Sequence, residues 1–152
     1  MFEVLLYSIA TFFLMEPIVW IIHRYVMHGF LWVLHKDHHQ KYPNVGLEKN
    51  DLFVLFFASA SIISIYFGFE KHNNLFMGFG FGLFLYGIAY FFMHDILSHR
   101  RMKFIKTPKN FYFISVIKAH KQHHKHREKD KGECFGFVYL FPIKYYKSSF
   151  RN

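Results

Sequence analysis

The chain has 152 residues, over half of them hydrophobic and 22 of them Phe, with a formal net charge of +9. One domain of this size cannot hide so much apolar surface in a water-facing core, so a soluble globular protein is excluded and lipid is the expected solvent. The single Cys134 excludes an intrachain disulfide framework and any cysteine-based metal motif; its expected role is packing, and a metal site here must be nitrogen-ligated.

The N-terminal MFEVLLYS carries an acidic residue where a secretory leader would carry positive charge, and is expected to be a retained anchor. Residues 4–22 make nineteen mostly apolar positions, about 28 Å of helix at about 1.5 Å per residue, which matches a hydrocarbon core of about 30 Å. Glu16 and Pro17 interrupt this run. The proline removes a backbone donor and is expected to kink the helix. Glu16 lies seven residues before His23 on nearly the same helix face. It is a candidate for orienting a ligand histidine or passing protons, against the plainer reading of an interhelical hydrogen bond or an interfacial position.

Residues 23–39, HRYVMHGFLWVLHKDHH, hold His23 and His28, then His35, His38 and His39 in an HxxHH pattern. Residues 40–51, with Pro43 and Gly46, are predicted to loop back to the bilayer, with Asn50 and Asp51 as caps for a second apolar run over 52–69. A polar turn at 70–74 leads to a third run over 75–93. Gly78 and Gly82 there make a GxxxG step, expected to serve close helix packing rather than a slot for flat substrate. His94 and His99 follow. A helix predicted to start at Thr107 and Pro108 and run to about Arg127 carries His120, His123 and His124, with Gly132 closing the segment. Residues 135–142, FGFVYLFP, are too short to span and are expected to pack over the site or dip into the interface.

Two crossings separate the histidine sets, so both emerge on one side. Fourteen of the nineteen Lys and Arg lie beyond position 99, which makes that side cytoplasmic by the charge rule. His72 falls in the opposite turn and cannot join them; His126, two residues past the second motif, is expected to be a solvated neighbour. The predicted fold is an all-α integral membrane protein of three or four transmembrane helices with a cytoplasmic histidine-rich helical cap, in one domain over 1–152.

Helix positions i, i+3 and i+4 share a face, so each HxxHH is expected to aim three imidazoles one way. Positions i and i+5 differ by about 140° on a regular helix. A π-bulge, a break at Gly29, or ligation of different metals by the two members would each resolve the five-residue steps. Ten imidazoles exceed the capacity of one ion, and two ions with about five ligands each fit the count. Imidazole suits Fe, Zn, Cu and Ni. Iron is preferred because oxidation explains a site facing apolar substrate, whereas zinc implies hydrolysis and is expected only as a substitute in purified samples. No catalytic side chain beyond the ligands is expected. Asp37 and Asp95, inside the motifs, join Glu16 as candidate carboxylates behind the ligands, their plainer reading being exposed charges.

The stretches MEPIVWIIHRYVMHGFLW, KNDLF, FMHDILSHRRMKF, AHKQHH and FGFVY resemble the membrane-bound fatty acid hydroxylase superfamily. The five-residue steps and the MHG after the second histidine are similar to its bacterial β-carotene hydroxylase branch. The resemblance implies a non-haem di-iron monooxygenase that uses O₂ to hydroxylate C3 of the β-ionone rings of β-carotene, through β-cryptoxanthin to zeaxanthin. It places the iron ligands on His23, His28, His35, His38, His39, His94, His99, His120, His123 and His124, without saying which ion each binds. Expected partners are the carotenoid, membrane lipids, and a ferredoxin with its reductase, because the chain is too short for a fused electron-transfer domain; no nucleic acid is expected despite the basic tail. The expected location is the inner cell membrane, with the metals at its cytoplasmic face. A carotenoid ketolase, a sterol or fatty acid hydroxylase, or a desaturase uses similar chemistry; a membrane metal transporter or bis-histidine haem protein is the alternative from another class.

Overall fold

The computed structural model describes residues 1–40, 46–102, 104–106 and 108–149, every regular element of which is helical. The predicted 40–51 loop therefore lies partly outside the described residues, as does Thr107. Helix α1 (Phe2–Ile21) runs on into a π-helical segment, Ile22–Phe30. The short α2 (Trp32–His39) turns away from it, and α3 (Asp51–Glu70) and α4 (Asn74–Phe91) form a hairpin. A second π-helical segment, Phe92–Ser98, continues α4, followed by α5 (Phe111–Lys125) and α6 (Ile143–Ser149).

Among the described residues three stretches are long and apolar enough to cross a membrane: Phe2–Phe30, Asp51–Glu70 and Asn74–Ser98. Their outer surfaces expose Phe13, Phe56, Ile62 and Phe84, a distribution that suits lipid and would be ruinous in water.

Helix α4 packs against both α1 and α3, and its glycines explain how. A Cβ at Gly78 or Gly82 would overlap Tyr7 or Thr11 of α1, while one at Gly80 would sit 2.6 Å from Ile65 Cγ1 and 2.8 Å from Ile65 N of α3. The GFGFG stretch thus faces a different helix at alternate glycines, and the GxxxG step is a packing device. Gly82→Leu is expected to force α1 and α4 apart, at a cost at or above the roughly 1–3 kcal/mol of ordinary overpacking, because the overlapping atoms include the Ser8 carbonyl. A lowered unfolding temperature in detergent would register it.

Several termini differ from expectation. Helix α5 starts at Phe111, where Asn110 provides the cap: its Oδ1 accepts from the Tyr112 N–H at 2.8 Å. The helix ends at Lys125, short of Arg127, and His126 is extended. Gly132 lies beyond, in irregular chain. Asn50 stands at the cap of α3 but makes no capping bond, since its side chain is taken by His35. Pro17 does not break α1. The Phe13 carbonyl, deprived of its partner four residues on by the missing proline N–H, accepts from the Tyr139 hydroxyl at 2.5 Å.

That bond is one fastening of a strap formed by residues 135–142. Glu16 is fully buried, and its Oε1 accepts from the backbone N–H groups of Phe137, Val138, Tyr139 and Leu140 at 2.9, 2.8, 3.0 and 3.0 Å. Its Oε2 accepts from the Tyr86 hydroxyl at 2.5 Å. Gly136 permits this curl, because a Cβ there would strike the Leu140 carbonyl and lie 2.9 Å from Glu16 Oε1. Phe137 is thereby driven into the core with Met15, Val19, Leu83 and Tyr86. A second cluster, Met93, Ile96, Leu97, Val116, Ile117, Ala119, Cys134 and Phe141, fastens α5 and the strap to the end of α4, and gives Cys134 its packing role.

Candidate metal centre

Ten histidines meet at one end of the three long helices. His23 and His28 come from the π-helical end of α1, and His94 and His99 from that of α4. In both places an N–H reaches five residues back, Leu31 to Val26 and His99 to His94, each at 2.9 Å, and the wider turn brings i and i+5 into register. The paired ring centroids are 5.2 Å apart for His23 and His28 and 4.6 Å for His94 and His99. Gly29 adds the expected break, leaving helical geometry at φ −103°, ψ −123° so that α2 can fold back. The third device, division of a pair between centres, does not operate.

Two clusters result: His23, His28, His35, His39 and His123, and then His38, His94, His99, His120 and His124, with the donor atoms of each set within 4.8 Å of one another. The motifs are not aimed as expected. In each HxxHH the i and i+4 rings stay together while the i+3 ring crosses to the other cluster, because neighbouring residues on a helix diverge by about 100°. His38 and His123 are thus exchanged between sets of different origin. The clusters adjoin: the rings of His39 and His124 stack at 4.4 Å across the boundary. His72 lies exposed at the far turn. His126 gives a backbone carbonyl rather than its ring.

The outward nitrogen of most rings is spoken for. Nδ1–H donates to the carbonyls of Phe135 from His23, Lys129 from His28, His126 from His39 and Glu133 from His123, at 2.9–3.0 Å. His35 donates to Asn50 Oδ1 at 2.7 Å, His38 to Glu48 Oε2 at 2.7 Å, and His94 to Asp95 Oδ2 at 3.1 Å. These acceptors fix the tautomer and leave Nε2 as a bare lone pair pointing inward. Outside the spans, burial and then neighbouring imidazoles push His35, His38, His120, His123 and His124 well below the ordinary histidine range, His39 to about 4 and His99 to about 3. These seven rings are neutral at physiological pH.

Neutral rings so oriented repel one another. His35 Nε2 lies 3.1 Å from Nε2 of both His23 and His39, and the His28 and His123 pair is 3.3 Å apart. In the second cluster His99 and His120, 2.7 Å apart and with no acceptor on His120 Nδ1 among the described residues, can share a proton, whereas the Nε2 atoms of His38 and His94 face each other at 2.9 Å. No hydrogen bond joins two lone pairs. A cation between them converts repulsion into ligation, and edges of about 3 Å suit metal–nitrogen bonds of about 2.0–2.1 Å. The donor set fits metal ions in both clusters.

The carboxylates distribute differently from the sequence candidates. Asp95 orients His94, whereas Glu16 serves the strap and Tyr86 rather than any histidine. Asp37 Oδ2 accepts from the Lys49 N–H at 2.8 Å. Sequence reasoning missed Glu48 and Asn50, hidden in a polar turn, and Arg101, hidden in a basic run. Arg101 bonds Asp95 Oδ1 at 2.9 Å and Glu48 Oε2 at 3.0 Å, and so braces the two carboxylates that hold His38 and His94. Against the burial that would lower it, Asp95, Asp51 and Glu48 raise its pKa; burial raises that of Glu48 despite Arg101.

Phe137 was missed as well. Its ring stacks on His23 at 5.1 Å and meets His94 edge-on at 5.1 Å, touching both clusters. It also bounds an apolar cavity of about 380 Å³ that reaches into the spans between α1, α3 and α4, with Asn50 and Asp95 at its polar end. On the opposite side His38, His39, His99, His120 and His124 line an open cleft edged by Arg101, Lys121, Lys125 and Arg127.

Comparison with known proteins agrees with this arrangement. The family model for fatty acid hydroxylases matches residues 8–143. A protein named beta-carotene hydroxylase from Pantoea ananas is 37% identical over 91% of this chain and 78% of its own length. Proteins of the same name from Paracoccus sp. (strain PC1) and Pseudescherichia vulneris are 35% identical over 95% of this chain and 88% of the relative, and 39% over 82% and 70%. No solved structure matches. An all-helical bundle with paired histidine clusters, matched by one family model over nearly its whole length, belongs to the fatty acid hydroxylase family.

Proposed function

We propose that the chain is a non-haem di-iron monooxygenase that hydroxylates C3 of the β-ionone rings of β-carotene, giving zeaxanthin through β-cryptoxanthin. The observation that carries the reading is the likeness to bacterial beta-carotene hydroxylases over most of the chain, joined to two five-histidine clusters beside an apolar cavity. Each cluster holds one iron. When bound, the two irons would supply reductive O₂ activation: one oxygen atom enters a substrate C–H bond, and the other leaves as water with two electrons from an external donor and two protons from solvent.

The protein's part is placement. The Nδ1 acceptors hold seven of the ten rings before any ion arrives, which lowers the reorganisation needed on binding. Phe137, pinned by Glu16, bounds the cavity beside both clusters, where it helps to keep water from the reacting carbon. Nitrogen ligands alone accept zinc too, but zinc has no redox chemistry with O₂. The basic edge of the open cleft suits an acidic ferredoxin supplied by its reductase. The charge rule sets that face in the cytoplasm and the spans in the inner cell membrane, with 1–152 acting as one hydroxylase domain.

Expression in cells that accumulate β-carotene is expected to yield β-cryptoxanthin and zeaxanthin on pigment chromatography. A keto product would make the chain a ketolase. Unchanged pigment from folded, iron-loaded protein with a working electron donor would end the carotenoid reading.

A further inference from the structure

The apolar cavity has an inner and an outer wall. Met15, Val19, Tyr86 and Phe137 on its inner side are buried, while Val54, Ile62, Phe84 and Ile88 on its outer side are exposed at 43–68%. It therefore opens sideways, through the lipid-facing surface between α3 and α4. From Asn50 to Ile62 along α3 it extends about 18 Å at about 1.5 Å per residue, running from the residues behind His35 and His94 into the hydrocarbon.

The opening follows from how the hairpin is pinned. Near its turn the two helices are in backbone contact, where a Cβ at Gly68 would lie 2.5 Å from Met77 N and one at Gly80 would lie 2.6 Å from Ile65 Cγ1. Ser61 Oγ donates to the Gly80 carbonyl at 2.8 Å and closes that end. Toward the histidines the helices part. Gly87, two turns further along α4 and on the cavity wall, has nothing within 4 Å of where its Cβ would be. Gly68, Gly78, Gly80 and Gly82 lack side chains so that helices can touch; a Cβ at Gly87 would meet no neighbouring atom, and close helix packing does not explain it. Ala58, another small and exposed residue, lines the cavity from α3.

We propose that Gly87 is a specificity-determining residue, keeping a lateral doorway wide enough for the ring-bearing end of a long neutral polyene to pass from the bilayer to the histidine clusters. This rests on the hydroxylase reading for the identity of the ring, and on the cavity alone for the doorway. The occupant is rod-shaped and apolar, because the lining between its polar end and its mouth offers a hydrocarbon chain little else than apolar contacts. A branched side chain at the mouth narrows it by more than one methylene, which in an apolar passage changes discrimination about tenfold or more.

The test compares wild type with Gly87→Leu and, from the facing helix, Ala58→Leu, purified in nanodiscs with metal content measured. Each is offered a bicyclic polyene or an acyclic polyene of equal length, and retained pigment is read by visible absorbance. The bicyclic polyene is expected to be retained at least about tenfold less by both variants, with its KM raised far more than its kcat is lowered, while acyclic retention and metal content stay at wild-type levels. Wild-type retention and turnover of the bicyclic compound by either metal-replete variant would overturn the proposal, as would equal loss of both polyenes. If wild type retains the bicyclic polyene in a Gly87-dependent way and yet oxidises nothing, the doorway stands and the hydroxylase reading falls.

Discussion

Paired alanine substitutions are expected to sort the ten histidines by cluster rather than by motif. Each single replacement, His35→Ala, His38→Ala or His123→Ala, should lower activity by more than about a hundredfold, since losing a ligand should exceed the 10–100-fold typical of losing a group behind one. The doubles discriminate. His35 and His123 share a cluster although they come from different motifs, so His35→Ala with His123→Ala should cost one ion. His35 and His38 are neighbours in one motif but lie in different clusters, so that double should cost two. Metal counts in the reverse order would show that the rings group by sequence after all. His126→Ala should retain activity, because that residue's contribution is its backbone carbonyl.

Glu16→Ala is expected to be as damaging without touching a ligand. It leaves four backbone N–H groups and the Tyr86 hydroxyl without their acceptor in a buried site. Each such loss costs about 1–3 kcal/mol, and several together rival the roughly 5–15 kcal/mol by which a domain is stable. The strap should come away from α1, taking Phe137 and the Phe135 carbonyl that orients His23, so the variant should accumulate poorly and hold less metal. Glu16→Gln keeps the Oε1 acceptor and should recover much of the lost folding. Full metal content and an unchanged unfolding temperature in Glu16→Ala would refute this account of the strap.

Long apolar runs and histidine spacing made the three spans and both motifs readable from the chain alone. The π-helical geometry was among the three devices that the five-residue steps allowed, beside the break at Gly29 that accompanies it and the division between metals that does not occur. The exchange of His38 and His123 was not. An HxxHH pattern shows which rings lie on one broad face, but whether a ring about 100° round the axis meets the same ion depends on what the opposing helix presents. Glu48, Asn50 and Arg101 were hidden for another reason: turns and basic runs have ordinary explanations as caps and topology signals, and only the fold reveals that these side chains point inward. Glu16 was flagged as unusual, but its partners in the strap are more than a hundred residues away and are backbone groups, which leave no mark in side-chain sequence. Pro17 was read as a defect in α1, and proves to free the carbonyl that Tyr139 uses.

The acceptors behind the two clusters differ in charge. Those behind His23, His28, His35, His39 and His123 are carbonyl or amide oxygens, whereas His38 and His94 lean on Glu48 and Asp95. Anionic acceptors make imidazole the more generous electron donor. A repeated motif has therefore produced unlike seats: an ion in the second would meet two imidazoles backed by carboxylates, themselves braced by Arg101.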